Sequence, residues 1–333
     1  MLAVLLALAA AAGYGGSDYA AGLAARRASV VRVTVLVEAT SAALLLCVIP
    51  FISSQAPSLT SALWGIAAGA SGVAGAMALY LGFRHAAFSV ASSISAVGSA
   101  AFSVLAGVAL GEHPGALSFA GIALALPAIV AVSAPARQQP PEEARRGQSS
   151  PRGQGPVTKD RAGVPGVAPR ASTGLEPSGG SRGVAPPGQQ RRHRHAVGVG
   201  LGLAAGAGFG MFFIGLNEAG SVNDLWPIVI SQLAAMVTVT CVAAATHDLR
   251  LPPPGARRLS VMTGAIGAVG TTMFFLSTHH GLLAVTAVIT ALYPAVTIVL
   301  ARVVSGERLT GLRIIGLSLA AASVALIAAG GAS

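Results

Sequence analysis

The sequence predicts an all-α integral membrane protein of ten transmembrane helices, arranged as two inverted five-helix halves of one duplicated unit. Three observations lead there. The 333 residues are 53% hydrophobic and only 10% charged, with a mean hydropathy of +0.72. A soluble domain needs about a quarter charged residues to cover its surface. Ten apolar segments are each long enough to cross roughly 30 Å of hydrocarbon, and the second five repeat the first at a constant offset of 195 residues.

In the first half the segments run near 2–23, 30–51, 62–82, 86–110 and 114–134; in the second they run near 196–216, 225–246, 259–277, 282–304 and 310–329. The opening MLAVLLALAAAA has the apolar character of a signal peptide, but it lacks a basic start and aligns with an internal segment, so it reads as the first helix. Glycine and alanine are abundant and aromatics few, which suits membrane helices packing through small residues. The two cysteines, Cys47 and Cys241, lie in apolar runs and are expected to be buried in packing contacts rather than joined as a disulfide.

Between the halves the composition changes abruptly. Pro, Gly, Gln, Ser and Arg replace the aliphatics, as in RQQPPEEARRGQSSPRGQGP. Such a stretch buries too little apolar surface to offset its ordering entropy and is expected to be disordered. The expected organisation is a first repeat over 1–135, a basic linker over 136–195 and a second repeat over 196–333.

The duplication rests on charged and glycine positions held in one register. Gly69, Gly72 and Gly75 recur as Gly264, Gly267 and Gly270; Gly13 and Gly15 as Gly208 and Gly210; His85 as His280; Gly111-Glu112 as Gly306-Glu307; Gly121 as Gly316. Alanine-rich segments match by chance, whereas this set does not. Five crossings per repeat force the second half to enter the membrane in the opposite sense, the inverted plan from which many secondary transporters are built.

Charge orders the loops. The net charge is +10, but 11 of the 21 Lys and Arg lie in the linker, so the basicity is not that of a nucleic-acid-binding face. Arg26, Arg27, Arg32, Arg84, Arg250, Arg257, Arg258, Arg302, Arg308 and Arg313 all flank odd-numbered loops, and the even-numbered loops carry no basic residue. The positive-inside rule then puts the linker in the cytoplasm and both termini outside, in a bacterial-type plasma (inner) membrane.

The stretch from Leu276 to Gly330 resembles the end of an EamA domain: a helix with a central proline, Pro294, runs into the turn Gly306-Glu307-Arg308-Leu309 and a final helix containing Gly316. The first half resembles the same domain more weakly. It keeps Gly111-Glu112, but Ser99 stands where the proline would be and His113-Pro114 replaces Arg-Leu. The opening GYGGSDYAAGLAARR is also similar to the first helix of many bacterial members. The resemblance implies the drug/metabolite transporter superfamily in its ten-helix form. That family is usually described with both termini cytoplasmic, the reverse of the orientation given by the charge count.

Two acids, Asp18 and Glu38, lie well inside apolar segments. A carboxylate at that depth costs about 3 kcal/mol on insertion scales, so it faces a cavity or a partner. They are candidates for proton or cation coupling; acids on the first helix serve this purpose in the small multidrug resistance relatives. The competing expectation is pairing with Arg26, Arg27 or Arg32. Ser92, Ser95, Ser99 and Ser103 share one helical face, offering hydroxyls to a solute or a close approach to a neighbouring helix. Pro294 frees a backbone carbonyl and invites a kink that lines the cavity. Tyr14 and Asn217 complete the candidate set, with packing or loop roles as the alternative. Glu112 and Glu307 are expected to orient their turns.

No Walker loop, Ser/His/Asp order or cysteine cluster is present in the sequence, so no cofactor, metal or ATP-driven step is expected. The leading expectation is a secondary transporter exporting a small metabolite, amino acid or drug-like solute by alternating access, coupled to protons. Its partners are then the bilayer, the solute and protons. The alternatives are a non-transporting scaffold or sensor recruiting a partner through the basic linker, and, less supported, a membrane enzyme.

Overall fold

The computed structural model describes residues 1–51, 57–85, 88–133, 187–220, 224–306 and 310–330, with side chains at all of these except 80, 82–93, 187–195 and 305. Most of the 136–195 linker, its last nine residues excepted, and Glu307, Arg308 and Leu309 of the second-half turn lie outside the described residues, as do the side chains of Arg84, His85 and Ser92. Met1–Ala136 and Arg192–Ser333 form one compact unit; Arg137–Arg191 form a second, described only over 187–191.

The first half contains α1 (Leu2–Ala25), α2 (Val30–Val48, extended by a 3-10 turn Ile49–Phe51), α3 (Leu59–His85), α4 (Phe88–Ala109) and α5 (Ala116–Ser133). The second contains α6 (Pro187–Glu218), α7 (Trp226–Ala245), α8 (Pro254–Thr278), α9 (Leu283–Thr290), α10 (Tyr293–Ser305) and α11 (Gly311–Gly330). Nine spans among the described residues are long and apolar enough to cross a bilayer, with α9 and α10 counting as one, and α4 adds a shorter apolar stretch over Ile94–Ala109. Large aliphatic side chains such as Leu44, Leu63, Leu105, Val237, Val269 and Ile315 are exposed in mid-helix, as a lipid-facing surface requires.

Two features depart from expectation, and a third concerns the proline of the ninth span. α6 begins at Pro187, inside the stretch expected to be disordered. Residues 189–195 contain neither Gly nor Pro, so a helix can continue there beyond its apolar part, which hydropathy does not register; a proline at the first turn suits its start. The ninth span is broken, with turn residues Ala291 and Leu292 separating α9 from α10 and Pro294 in the first turn of α10. Proline has no N–H to continue the ladder, so the kink falls just ahead of it. Cys47 and Cys241 are exposed, not buried; in a bilayer, hydrocarbon hosts an apolar side chain as well as a core does.

The repeat appears as symmetry in the packing. A Cβ built on Gly13 of α1 would lie 2.6 Å from the Gly270 Cα of α8, and one built on Gly208 of α6 would lie 2.7 Å from the Gly75 Cα of α3. These two crossings are copies at offset 195. The mates α5 and α11 pack on each other: Ser118 lies against Gly330, Gly121 against Ser323 and Ile327, and Val132 against Gly316. Ascending numbers in one helix meet descending numbers in the other, so the mates run antiparallel and the repeats are inverted. Gly111 and Gly306, also mates, end α4 and α10 with φ of +91° and +68°. That left-handed geometry is costly for a residue with a Cβ and explains glycine at both turns.

Candidate functional site

The polar residues of the spans converge where α1, α2, α7 and α8 meet. α1 packs on α8, α2 on α8, and α2 on α7. Small residues make these approaches possible: a Cβ on Gly264 would meet the Val37 carbonyl at 2.5 Å, and Ser41 Oγ donates to the Gly264 carbonyl at 2.7 Å. Ser17 Oγ likewise donates to the Thr263 carbonyl at 3.2 Å.

At the centre, the Tyr14 hydroxyl donates to Thr271 Oγ1 at 3.1 Å, and its ring stands 6.4 Å from Phe213, tilted by 43°. The carboxylates of Glu38 and Asp18 lie close enough to bear electrostatically on that hydroxyl. Glu38 Oε2 accepts a hydrogen bond from Gln232 Nε2 at 3.3 Å. Glu38 is half-buried and Asp18 exposed. Tyr14, Asp18 and Glu38 are therefore brought together, and Gln232 and Thr271 join them although sequence reasoning missed both.

Of the three arginines expected to pair with these acids, Arg26, Arg27 and Arg32, the last is engaged elsewhere. Arg32 forms an ion pair with Asp248, whose other oxygen accepts from Ser29 Oγ. The Ser29 hydroxyl, chiefly, holds the Asp248 carboxyl below its usual range; burial opposes it, and the Arg32 guanidinium adds to the lowering. This contact joins the first and seventh loops, which therefore share one face of the molecule.

The other candidates sit apart from the carboxylates. Ser99 Oγ donates to the Ala96 carbonyl at 3.0 Å. Ser95 and Ser103 are fully buried, with no hydrogen-bond partner for their hydroxyls. This face of α4 lies on α6, where a Cβ on Gly206 would meet the Ser95 carbonyl at 3.0 Å and Gly98 Cα at 2.9 Å. Asn217 Nδ2 donates to Glu218 Oε1 at the end of α6. Pro294 lies beside α1, where a Cβ on Gly15 would meet the Tyr293 carbonyl at 2.7 Å. Glu112 accepts from the backbone N–H groups of Leu283 and Ala284, at 2.5 and 2.8 Å, and so caps α9.

The surroundings of the acids are uneven. Towards the C-terminal end of α1, Asp18 and Gly22 lie on an exposed stretch, and nothing would come within 4 Å of a Cβ on Gly22. Towards the opposite face, Phe213, Leu216, Ile228, Phe274, Phe275 and Leu283 pack into one buried cluster drawn from both repeats. The repeat mates of Tyr14, Ser17 and Asp18 are Phe209, Phe212 and Phe213. One half thus supplies polar groups where the other supplies aromatic rings.

Residues 196–329 match the EamA-like transporter family. The second half is an EamA domain. The matched family is one of transporters, and nine spans among the described residues are long and apolar enough to make the chain a multi-pass membrane protein. No curated protein matches the sequence. A solved structure, titled only "Crystal structure of protein", shares the fold at a TM-score of 0.68 with 14% identity, covering 98% of each chain. At that identity the likeness carries the fold alone. Because the α1–α8 and α6–α3 crossings are copies, the first half has the architecture of the EamA domain.

Proposed function

We propose that the chain is a proton-coupled secondary transporter that exports a small metabolite, amino acid or drug-like solute by alternating access, with Glu38 as the coupling group and Asp18 and Tyr14 beside it. The observation that carries this reading is the Glu38–Gln232 contact: a carboxylate within a span, bonded to an amide of the opposite repeat and not to arginine. A group held between two repeats that rock against each other changes its surroundings in each cycle. Loss and gain of its proton are then linked to the side from which the site is open.

In this reading the basic face is cytoplasmic and both termini are outside, residues 1–135 and 196–333 are the moving halves, and 136–195 only connects them. Replacing Glu38 by Gln removes the proton site while conserving volume. Flux driven by an imposed pH gradient should fall to background in E38Q, with protein abundance and unfolding temperature unchanged. Unaltered flux at every pH would remove Glu38 from the mechanism.

A further inference from the structure

We propose that Gln232 is a positioning residue for Glu38, and that the two side chains form one proton site on the symmetry axis, in which the acid works equally from either repeat. The inference rests on the reading of Glu38 as the coupling group.

The register of α2 against α7 carries it. A Cβ on Gly264 would meet the Val37 carbonyl and Thr40 Cβ at 2.5 and 2.8 Å; one on its mate Gly69 would meet the Ser231 carbonyl and Ala234 Cβ at 1.9 and 3.0 Å. Val37 and Thr40 therefore correspond to Ser231 and Ala234, an offset of 194 instead of 195. In that register Cys47 matches Cys241, and Glu38 matches Gln232. A residue can touch its own repeat mate only where the two-fold axis passes between them. The 3.3 Å contact of Gln232 with Glu38 meets that condition.

The chemistry suits the position. Gln232 is 7% exposed, so its amide has few other partners. A primary amide donates through nitrogen and accepts through oxygen. It can donate to the Glu38 carboxylate and, after turning over, accept from the O–H formed when one proton binds a carboxyl oxygen. Both protonation states keep a partner, which a buried polar group requires. The titratable side chains near the pair come from α1, as Tyr14 and Asp18; α8 has none between residues 259 and 278, and α7 has only Cys241. Glutamate and glutamine are nearly equal in shape, so exchanging them across the axis leaves the packing in place.

The test uses protons as the probe and the full chain in lipid bilayers. The infrared C=O band of protonated carboxyl groups is followed against pH, and Glu38 is assigned as the component lost in E38Q. Exchange of the pair, E38Q with Q232E, should restore that component with a midpoint within about half a pH unit of the original. Q232L should shift the midpoint by roughly one unit, the scale of one hydrogen bond to a charged group. A double variant with no restored band, or a Q232L midpoint equal to wild type, overturns the proposal. Should the double variant not be recovered from membranes, Q232L decides alone. Normal flux in E38Q with the expected infrared shifts would instead refute Glu38 as the coupling group and leave the pairing intact.

Discussion

Replacing Gly13 with alanine places a methyl group 2.6 Å from the Gly270 Cα and 2.9 Å from its nitrogen. Carbon atoms in contact rest about 3.5–4.0 Å apart, so α1 and α8 must separate by roughly 1 Å at their crossing. The obstructing atoms are backbone, and no rotamer change relieves them. Overpacking of this kind costs about 1–3 kcal/mol. The mate Gly208→Ala meets the Gly75 Cα at 2.7 Å and the Ser71 carbonyl at 2.8 Å, so its penalty should be of the same size. Gly22→Ala is the control on the same helix, since nothing lies within 4 Å of its Cβ; there the better helix propensity of alanine stabilises by up to about 1 kcal/mol. Thermal unfolding of the purified protein in detergent, followed by tryptophan fluorescence, ranks the three. Gly13→Ala and Gly208→Ala should each unfold several degrees below wild type, and Gly22→Ala at or above it. A Gly13 variant as stable as the Gly22 variant would refute the crossing and the symmetry drawn from it.

Two further outcomes follow from the loops. Asp248 has a folded pKa below its ordinary value, so its contribution to stability is complete above the ordinary aspartate value of about 4. It is lost as pH falls through the lowered folded value; Asp248→Asn should therefore lower stability near neutrality, where the contribution is complete, and converge with wild type as pH falls below about 4. Glu112→Ala removes both acceptors from the first turn of α9 and should cost about 2 kcal/mol in chemical denaturation. Gly107→Ala should mimic it in part, because its Cβ would sit 2.3 Å from Glu112 Oε2.

Much of the fold was legible because a membrane imposes length and hydropathy on every span. The glycines at offset 195 mark the sites where backbones cross, so Gly13, Gly75, Gly208 and Gly270 disclosed the packing as well as the repeat. Pro294 disclosed the break between α9 and α10. Asp18 and Glu38 stood out because a carboxylate is conspicuous in an apolar run. Gln232 did not, because one offset was applied throughout: at 195 Glu38 aligns with Leu233, and only the local register of 194 exposes its mate. Glycine spacing within α2 and α7 cannot correct this, since neither helix contains a glycine. The Arg32–Asp248 pair joins residues 216 apart in sequence, and no local pattern announces such a partner. Hydropathy also missed the start of α6, because its first residues are polar and carry no apolar signature.

The central claim is solute transport, and flux across a sealed membrane tests it most directly. Purified protein in proteoliposomes with an imposed pH gradient is screened against small metabolites, amino acids and drug-like compounds. The account predicts saturable, gradient-dependent movement of at least one solute, abolished in E38Q and retained when residues 137–195 are deleted. Absence of flux for every solute class, in vesicles whose protein is correctly inserted and folded, would contradict it.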